Sequence, residues 1–401
     1  WFVESNGCMW TKGDKGQDKN RQAILFSHLM QVLWQDFPLW ALWAPALLWQ
    51  LYFVFRYWWP VVWRRDAWKE APGAAASKPL SLVIAARNEA DNLRRNLPVW
   101  MAQTHPDFEV VVVNDSSWDE TALVLKEFAE VYPRLRIVSV EEQDKYPTGK
   151  KFALTLGIKA ASHPHLVFTD ADCRPASETW LSGMQGTYRS ATELVIGHVQ
   201  LENTRGILGL FQQTDALFTS IQCYGHALTG QAFMGRGGNL SYLRNLFFYH
   251  KGFSAHLKHL SGDDGLFVNQ AATPSNVRVC LHSSTWTYTQ APDGWGAWWS
   301  QKRRHLSSAA YLRPRHRLRL GVYGVTLWML MVWPAMAIQL PWVYSLPIAI
   351  YFLNRWMILG LLAARFKQAG LLPFLPVLDL LNLLLRTFWT LTAPKPSRVR
   401  W

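Results

Sequence analysis

Apolar segments of bilayer length flank a more polar middle region, and they limit what this chain can fold into. Residues 39–63 are interrupted only by Gln50 and Arg56, and residues 320–340 contain one glutamine and no charge. A helix of about 20 mostly apolar residues can cross the hydrocarbon core of a bilayer. We therefore predict transmembrane helices over 38–63 and 320–340. With 23 Trp and only 17% charged residues, the composition also favours a membrane protein over a wholly soluble one.

Two further apolar segments, 343–364 and 371–392, close the chain. Arg355 lies near the middle of the first, where a charge is costly unless it is paired or faces a polar cavity. The second carries a polar stripe at helical spacing, made of Asp379, Asn382, Arg386 and Thr390. We predict that Arg355 pairs with Asp379 inside a bundle of helices.

Basic residues predict the orientation in the membrane. Arg64, Arg65 and Lys69 follow the first helix and are typical of a cytosolic flank. One crossing before the middle region and two after it leave that region and the C-terminus in the cytosol. We therefore expect 320–401 to contain two transmembrane helices and a final helix, 371–392, that lies in the interface or re-enters the membrane.

The remaining boundaries follow from changes in composition. Residues 1–37 lack clear periodicity and begin with Trp, so we expect a non-native N-terminal extension, with Met30 as a candidate start. Residues 64–79 contain the stretch Pro72-Gly73-Ala74-Ala75-Ala76-Ser77 and are expected to be a linker. The middle region, 80–319, is predicted to be one domain.

The middle region has the pattern of an α/β domain. Short apolar runs predict strands at 80–85, 110–113, 136–140 and 166–168. Helical stretches lie between them, at 89–102, 119–131 and 149–161. This alternation predicts a mostly parallel sheet that binds its ligand at the carboxyl ends of the strands.

Charge and cysteine spacing limit the partners. The net charge of +13 predicts an acidic partner, either an anionic lipid surface or a phosphorylated substrate. Nucleic acid is disfavoured because the basic residues are scattered or lie beside apolar segments. The four cysteines are far apart with no C-x-x-C spacing, so neither a zinc site nor a disulfide framework is indicated.

Acidic residues follow two of the predicted strands. Asp115, after 110–113, could accept hydrogen bonds from a nucleotide, although Asp-Ser-Ser is also ordinary turn chemistry. Asp170 and Asp172, after 166–168, could hold Mg²⁺ or Mn²⁺ on a substrate diphosphate, although so short a motif also occurs by chance. Lys150 opens a predicted helix, where anions bind readily. The G-x-G-x-x-G pattern of dinucleotide-binding proteins is absent after the first strand.

Two later motifs also have candidate chemistry. Asp263-Asp264 lies between glycines and could supply a general base, but it also fits a solvated turn. In Gln301-Lys302-Arg303-Arg304-His305, Gln301 and Arg304 share a helix face, and an arginine suits diphosphate oxygens. The alternative for that segment is a basic cluster that meets lipid headgroups.

The order of these motifs is more specific than any one of them. They run in the sequence Ala85-Ala86-Arg87-Asn88-Glu89, Asn114-Asp115-Ser116-Ser117, Gly149-Lys150-Lys151, Thr169-Asp170-Ala171-Asp172, Gly262-Asp263-Asp264 and Gln301-Lys302-Arg303-Arg304-His305. In this order the chain resembles family 2 glycosyltransferases with a GT-A fold, of the membrane-bound bacterial kind related to cellulose, hyaluronan and poly-N-acetylglucosamine synthases. The resemblance covers about 80–310.

The resemblance implies an inverting, metal-dependent transfer from a UDP-sugar to a lipid-linked or saccharide acceptor, at the cytosolic face of a bacterial inner membrane. It implies that Asp264 is the catalytic base, with Asp263 beside it, and that Asp170 and Asp172 hold Mg²⁺ or Mn²⁺. The implied nucleotide-sugar ligands are Glu89, Asp115, Lys150, Asp170 and Asp172. The residues implied near the diphosphate and acceptor are Gln301, Arg304, His305, Gly238 and Asn239.

The chain departs from the family pattern at His305, because the processive synthases end the Gln-x-x-Arg-Trp motif in Trp. Asn114 also stands where many relatives have Asp. A transferase that adds a sugar to a membrane-presented acceptor is therefore our leading hypothesis. A processive polysaccharide synthase is the alternative, and a non-catalytic membrane scaffold with a nucleotide-sugar fold is disfavoured by the intact carboxylates.

Overall fold

The computed structural model describes residues 37–69, 78–141, 149–202, 204–257, 262–337 and 345–392. Residues 1–36 of the predicted extension and 70–77 of the predicted linker lie outside the described residues. So do Thr148, Ser261 and the C-terminal basic residues of 393–401.

The strands form one large and one small sheet. In chain order they are β1 (Leu80–Ala86), β2 (Phe108–Asp115), β3 (Leu135–Val140), β4 (His165–Phe168), β5 (Arg174–Pro175), β6 (Leu194–Gly197), β7 (Val199–Glu202), β8 (Leu240–Leu243), β9 (Val277–Cys280) and β10 (Thr287–Gln290). The large sheet has seven strands in the order β3-β2-β1-β4-β8-β6-β9, and the small one has the order β5-β10-β7. The first four strands confirm the four predicted from the sequence, within two residues at each end.

Helices cover the sheet and continue into the C-terminal bundle. In chain order they are α1 (Phe37–Phe53), α2 (Trp59–Trp63), α3 (Arg65–Trp68), α4 (Ala90–Met101), α5 (Thr121–Val131), α6 (Lys150–Ala160), α7 (Trp180–Gly186), α8 (Gly206–Leu228), α9 (Arg244–Tyr249), α10 (Gly265–Ala271), α11 (Gly294–Ser307), α12 (Pro314–Ala337), α13 (Leu346–Arg365) and α14 (Leu375–Thr392).

Parallel pairing brings the ends of the central strands to one edge of the large sheet. β1 lies between β2 and β4 and is parallel to both, while β2 is parallel to β3. β3 at the edge is partly exposed, but β1, β2 and β4 are buried on both faces, with α6 on one side and α4 and α5 on the other. This explains their continuous Val and Ile runs. The later strands were not predicted, and β8 enters antiparallel between β4 and β6.

Three C-terminal helices are long and apolar enough to cross a membrane, judged by length and composition. They cover Pro314–Ala335, Leu346–Arg365 and Ala369–Thr392. The last of these meets the same criteria as the others, so its predicted interfacial or re-entrant placement stays a prediction. At the N-terminal side α1 has 17 residues, and a π-helical turn at Val54–Trp58 separates it from α2.

The π turn accommodates the charge in the first apolar segment. Arg56 lies in this turn, and its guanidinium donates a hydrogen bond of 3.0 Å to the carbonyl of Thr229 after α8. The helix is therefore attached to the α/β domain by a polar contact at its least apolar residue. Its prediction as a transmembrane helix stays a prediction.

A buried ion pair lies among the bundle helices, as the sequence predicted. Arg355 on α13 donates two hydrogen bonds to Asp379 on α14, at 2.7 and 2.8 Å, and both side chains are 1% exposed. The guanidinium also lies 4.4 Å from the centre of the Trp58 ring. The pair therefore fixes α13 and α14 against the N-terminal helix.

Nearby polar groups form hydrogen bonds with the side-chain amide of Gln50, the one glutamine of the first apolar segment. Gln50 donates to the carbonyl of Tyr323 at 2.7 Å and to the hydroxyl of Thr326 at 2.8 Å. It accepts from the hydroxyl of Tyr351 at 2.8 Å. A polar residue in an apolar helix is thus explained by partners on α12 and α13.

We predict that Asp379→Asn destabilises the protein by about 3–5 kcal/mol, because it leaves the Arg355 guanidinium buried without its counter-charge. Thermal unfolding of the full chain in detergent measures this loss. The double variant Arg355→Met/Asp379→Leu removes both charges and should be more stable than Asp379→Asn. If it is less stable, the pair itself contributes more than the cost of burying it.

Candidate active site

The candidate site lies where β1, β2 and β4 end. Glu89 follows β1, Asp115 ends β2, and Asp170 and Asp172 follow β4. The three strands are adjacent in the sheet, so residues that are far apart in sequence meet along one edge. Asp115 is 1% exposed, and it lies at the base of this edge rather than on its surface.

Hydrogen bonds connect the loop after β1 to the loop after β2. Asn88 and Ser116 have positive φ angles of 58° and 53°, a conformation in which asparagine is less strained than most residues. Ser117 Oγ accepts a hydrogen bond from the Asn88 amide at 3.0 Å, and Asn88 Oδ1 accepts one from the Trp118 amide at 3.0 Å. These bonds hold Glu89 in a defined place at the edge of the sheet.

Three carboxylates converge after β1 and β4. Burial and the neighbouring charge of Asp170 raise the pKa of Asp172. Burial raises the pKa of Glu89 as well, with further contributions from Asp172 and Asp170. Carboxylates that raise one another's pKa form a site with a deficit of positive charge.

This acidic cluster suits a divalent metal. One ligand atom from each of Asp170, Asp172 and Cys173 lies within 4.8 Å of the other two. Thr289 on β10 donates to Asp172 Oδ2 at 3.0 Å, which orients that carboxylate. Burial raises the pKa of the Cys173 thiol well above its usual range. Mg²⁺ and Mn²⁺ prefer oxygen ligands, so the two carboxylates are the candidate donors of this cluster.

Lys150 links the candidate metal ligands, Asp170 and Asp172, to the second acidic pair, Asp263-Asp264. Its Nζ lies 2.7 Å from Asp170 Oδ1 and 3.1 Å from Asp263 Oδ2. Burial alone would lower the pKa of Lys150, but the charges of Asp170 and Asp263 raise it well above its ordinary value. The lysine is therefore a fixed cation between the two pairs. The structure thus brings together five predicted residues: Lys150, Asp170, Asp172, Asp263 and Asp264.

Asp263 and Asp264 differ in environment although they are adjacent. Burial would raise the pKa of Asp263, but the charge of Lys150 and its hydrogen bond lower it. Burial and the charge of Asp263 instead raise the pKa of Asp264 to about 6. Two neighbouring carboxyl groups with opposite pKa shifts can take different roles in proton transfer.

Two backbone amides orient the Asp264 carboxylate. The Gly237 amide donates to Oδ2 and the Gly265 amide donates to Oδ1, both at 2.6 Å. Each oxygen keeps a lone pair for a further proton. The contact from Gly237 brings the loop before β8, residues 235–239, against the acidic pair. We call this segment the glycine loop. No local signal in the sequence indicated this contact.

Hydrogen bonds from buried polar groups hold the glycine loop on its interior side. The carbonyl of Gly238 accepts hydrogen bonds from Thr169 and Thr287, each at 2.9 Å. Asn239 is fully buried and donates to the carbonyls of His198 and Thr285 at 2.9 and 2.7 Å. The structure therefore places Asn239 in the interior, where it supports the loop, and its predicted role near the diphosphate and acceptor stays a prediction.

The helix α11 carries Gln301, Arg304 and His305 next to the C-terminal bundle. Gln301 is half-buried, and Arg304 and His305 are exposed. Ser308, which follows α11, lies against Gly262, directly before Asp263, so this end of α11 is near the cleft formed by the two acidic pairs. On another side, Trp298 packs edge-to-face against Trp389 of α14, with ring centres 5.0 Å apart.

A buried carboxylate missed by the sequence analysis anchors α11. Asp215 on α8 lies 2.5 Å from Lys302 Nζ and 2.7 Å from the guanidinium of Arg386 on α14. Burial would raise the pKa of Asp215, but the two cations lower it to about 2. The sequence did contain one signal for this contact, since Asp215 is the single acid in the apolar helix α8. Lys302 is thus an internal ion-pair partner and not a free headgroup contact.

We predict that Asp215→Ala and Lys302→Ala are non-additive, because both remove the same ion pair. Each should lower the free energy of unfolding by about 2 kcal/mol, less than a fully buried pair because Lys302 keeps some solvent contact. A double-mutant cycle on detergent-solubilised protein measures the coupling. Glu127→Ala, at an exposed residue on α5, is the control and should leave the melting temperature unchanged.

Known proteins are similar to this chain in sequence. Residues 81–253 match the family model described as Glycosyl transferase family 2. Glycosyltransferase AglE of Haloferax volcanii is 30% identical over 145 residues, which are 36% of this chain and 46% of that protein. The probable glycosyltransferase YdaM of Bacillus subtilis is 24% identical over 264 residues, which are 62% of this chain and 58% of that protein. The chain thus spans about half the length of these curated relatives.

A solved structure has the same fold. The mannosyltransferase PcManGT from Pyrobaculum calidifontis, in complex with GDP-Man and Mn²⁺, superposes with a TM-score of 0.55 at 21% identity. The superposition covers 86% of this chain and 97% of that chain. Residues 81–253 are thus similar to glycosyl transferase family 2, and the chain has the fold of this mannosyltransferase, the GT-A fold.

Proposed function

We propose that the chain transfers a sugar from a nucleotide-sugar, with UDP as the expected nucleotide, to an acceptor presented at the membrane. The observation that carries the proposal is the Lys150 bridge between Asp170 and Asp263. This bridge brings Asp170 and Asp172, whose carboxylates suit a metal, into one cleft with the Asp263-Asp264 pair, whose pKa values shift in opposite directions. Such a cleft can hold a donor diphosphate beside a group that removes a proton.

The donor would occupy the edge formed by the first four strands. Asp115, at the end of β2, is assigned to the uracil, and Glu89 and Lys150 to the rest of the nucleotide-sugar. Asp170 and Asp172 would hold Mg²⁺ or Mn²⁺, which when bound offsets negative charge on the diphosphate. The Mn²⁺ and GDP-Man in the complex of PcManGT support both a metal and a nucleotide-sugar donor in this fold.

The residues of the second pair would carry the proton transfer. Asp264, with a pKa of about 6, is largely ionised at neutral pH and can accept the proton of an acceptor hydroxyl. That oxygen then forms a bond to the anomeric carbon, and the bond from this carbon to the diphosphate breaks. The nucleoside diphosphate leaves, and the single displacement inverts the anomeric configuration. Asp263, kept ionised by Lys150, favours the protonated form of Asp264 as the proton arrives.

The position of α11 supports an acceptor presented at the membrane. This helix ends beside Gly262, next to the second acidic pair, and packs on α14 through Trp298. Residues 369–392, which include α14, are apolar enough to span a bilayer. An acceptor attached to a lipid would then reach the Asp264 carboxylate from the side of the bundle. We place the α/β domain on the cytosolic face, where nucleotide-sugars are available and Arg64 and Arg65 suit the flank.

We predict that Asp264→Asn lowers transfer by roughly 10²–10⁴-fold, since an amide cannot accept the proton. The assay uses membranes that contain the full chain, with a panel of labelled UDP-sugars and GDP-mannose, and measures label in lipid and in polymer. Donor binding should be largely retained, as measured by equilibrium dialysis. Normal turnover in this variant contradicts the base assignment. Asp107→Asn, an exposed residue before β2, is the matched control.

We also predict that EDTA stops transfer and that Mn²⁺ or Mg²⁺ restores it. Asp172→Asn should raise the Mn²⁺ concentration needed for half-maximal activity, because it removes one of two carboxylate ligands. Binding of Mn²⁺ is followed directly by electron paramagnetic resonance of the free ion. Unchanged Mn²⁺ binding in the variant would remove Asp172 from the ligand set, whatever the activity.

A further inference from the structure

A second cavity lies away from the acidic cleft, beside the residues that follow the N-terminal helix. Its volume is about 620 Å³. One wall is α3 with its flanking residues, another is the edge strand β9, and a third is the turn after α8. The amide of Leu281 donates to the carbonyl of Ala67 at 2.7 Å, which fixes α3 against the end of β9.

The lining of this cavity is strongly basic. Arg64, Lys69, Arg189 and Arg278 line it together with a single acid, Asp66. Arg64 pairs with Asp66 at 3.1 Å. Within the part of the chain that the structure describes, no carboxylate lies within 4.0 Å of the charged atoms of the other three. Among the described lining residues the basic side chains therefore outnumber the acidic ones by three, and an anion would relieve their repulsion.

The donors in the cavity come from separate elements and are suited to a phosphate. Arg189 follows α7, Arg278 lies on β9, and Arg64 and Lys69 flank α3. Arg189 uses one nitrogen for the carbonyls of Gly186 and Tyr188, at 2.7 and 2.8 Å, so its other nitrogens can still donate. Guanidinium groups bind phosphate oxygens through paired N–H donors.

Two apolar helices end beside this cavity, at the level where the proposed membrane placement has the lipid surface. α2 ends at Trp63, whose ring stacks on Trp59 with centres 5.6 Å apart. α13 ends at Arg365, whose guanidinium donates to the carbonyl of Val62. Tryptophan and arginine at the ends of apolar helices are typical of the boundary between lipid and water. The cavity begins one residue beyond this boundary, at Arg64.

We propose that this cavity binds the phosphate of an anionic phospholipid headgroup from the adjacent leaflet. The site uses none of the residues of the acidic cleft and does not depend on the proposed sugar transfer. A free phosphate would offer the same chemistry. The lipid is favoured because Arg64, which lines the cavity, directly follows an apolar helix, where basic residues attract anionic lipid.

The test measures the melting temperature of the full chain in a neutral detergent while phosphatidylglycerol is titrated into the micelles. Phosphatidylglycerol should raise the melting temperature in a saturable manner, and zwitterionic phosphatidylcholine should not. The double variant Arg189→Gln/Arg278→Gln should bind phosphatidylglycerol roughly 30-fold more weakly, from the loss of two basic residues near the lipid surface. Arg189→Lys/Arg278→Lys, which keeps the charge, should retain most of the binding.

The matched control is Lys126→Gln/Arg134→Gln. It removes the same charge from exposed residues beside β3, at the opposite edge of the large sheet from β9, and should behave as the native chain. An equal loss in this control means that net charge alone attracts the lipid, and the proposal is overturned. An unchanged titration in Arg189→Gln/Arg278→Gln overturns it as well. If inorganic phosphate raises the melting temperature as much as phosphatidylglycerol does, the ligand is a soluble phosphate and the lipid assignment is wrong.

Discussion

Electrostatic repulsion among the carboxylates of the cleft is the constraint on which the candidate site depends. Asp170, Asp172, Asp263 and Asp264 come from two segments nearly a hundred residues apart, and their ionised forms would separate these segments. Lys150 contacts one carboxylate of each pair, so a single cation holds the two segments together. Burial and the neighbouring charges of Asp170 and Asp263 raise the pKa values of Asp172 and Asp264, and Lys150 offsets this only in part. A bound metal would neutralise the Asp170 and Asp172 carboxylates, and the proton of an acceptor hydroxyl would neutralise Asp264.

The cleft also depends on the bundle, through charges that are buried between helices. Asp215 connects α8 to α11 and α14, so the helix that carries Gln301, Arg304 and His305 is attached to a candidate membrane span. The Arg355–Asp379 pair attaches that span to α13 and to Trp58. Charges in apolar helices are stable only when paired, and here each pair joins two elements. The bundle therefore holds α11 in place as well as anchoring the chain.

Much of the α/β domain could be predicted from the sequence because its signals are local. The Val-rich run of β2 and the amphipathic helices α4 and α5 follow from side-chain periodicity. The Arg355–Asp379 pair was predictable for a different reason, since an arginine in an apolar segment must find an acid and Asp379 was the acid on the next polar stripe. The antiparallel β8 and the role of Asn239 were not predictable, because short strands and buried amides depend on contacts made across the fold.

The C-terminal apolar segments form helices of bilayer length, and the order of the acidic motifs was sufficient to indicate the family. Both are properties of residues close together in the chain, since hydrophobicity and strand ends are set by local sequence. The tertiary structure alone decided which charges meet: Lys150 with two carboxylates, Asp215 with Lys302 and Arg386, and four basic residues around one cavity. Ionic interactions act between side chains over a few ångströms, and only folding brings together residues that are distant in sequence.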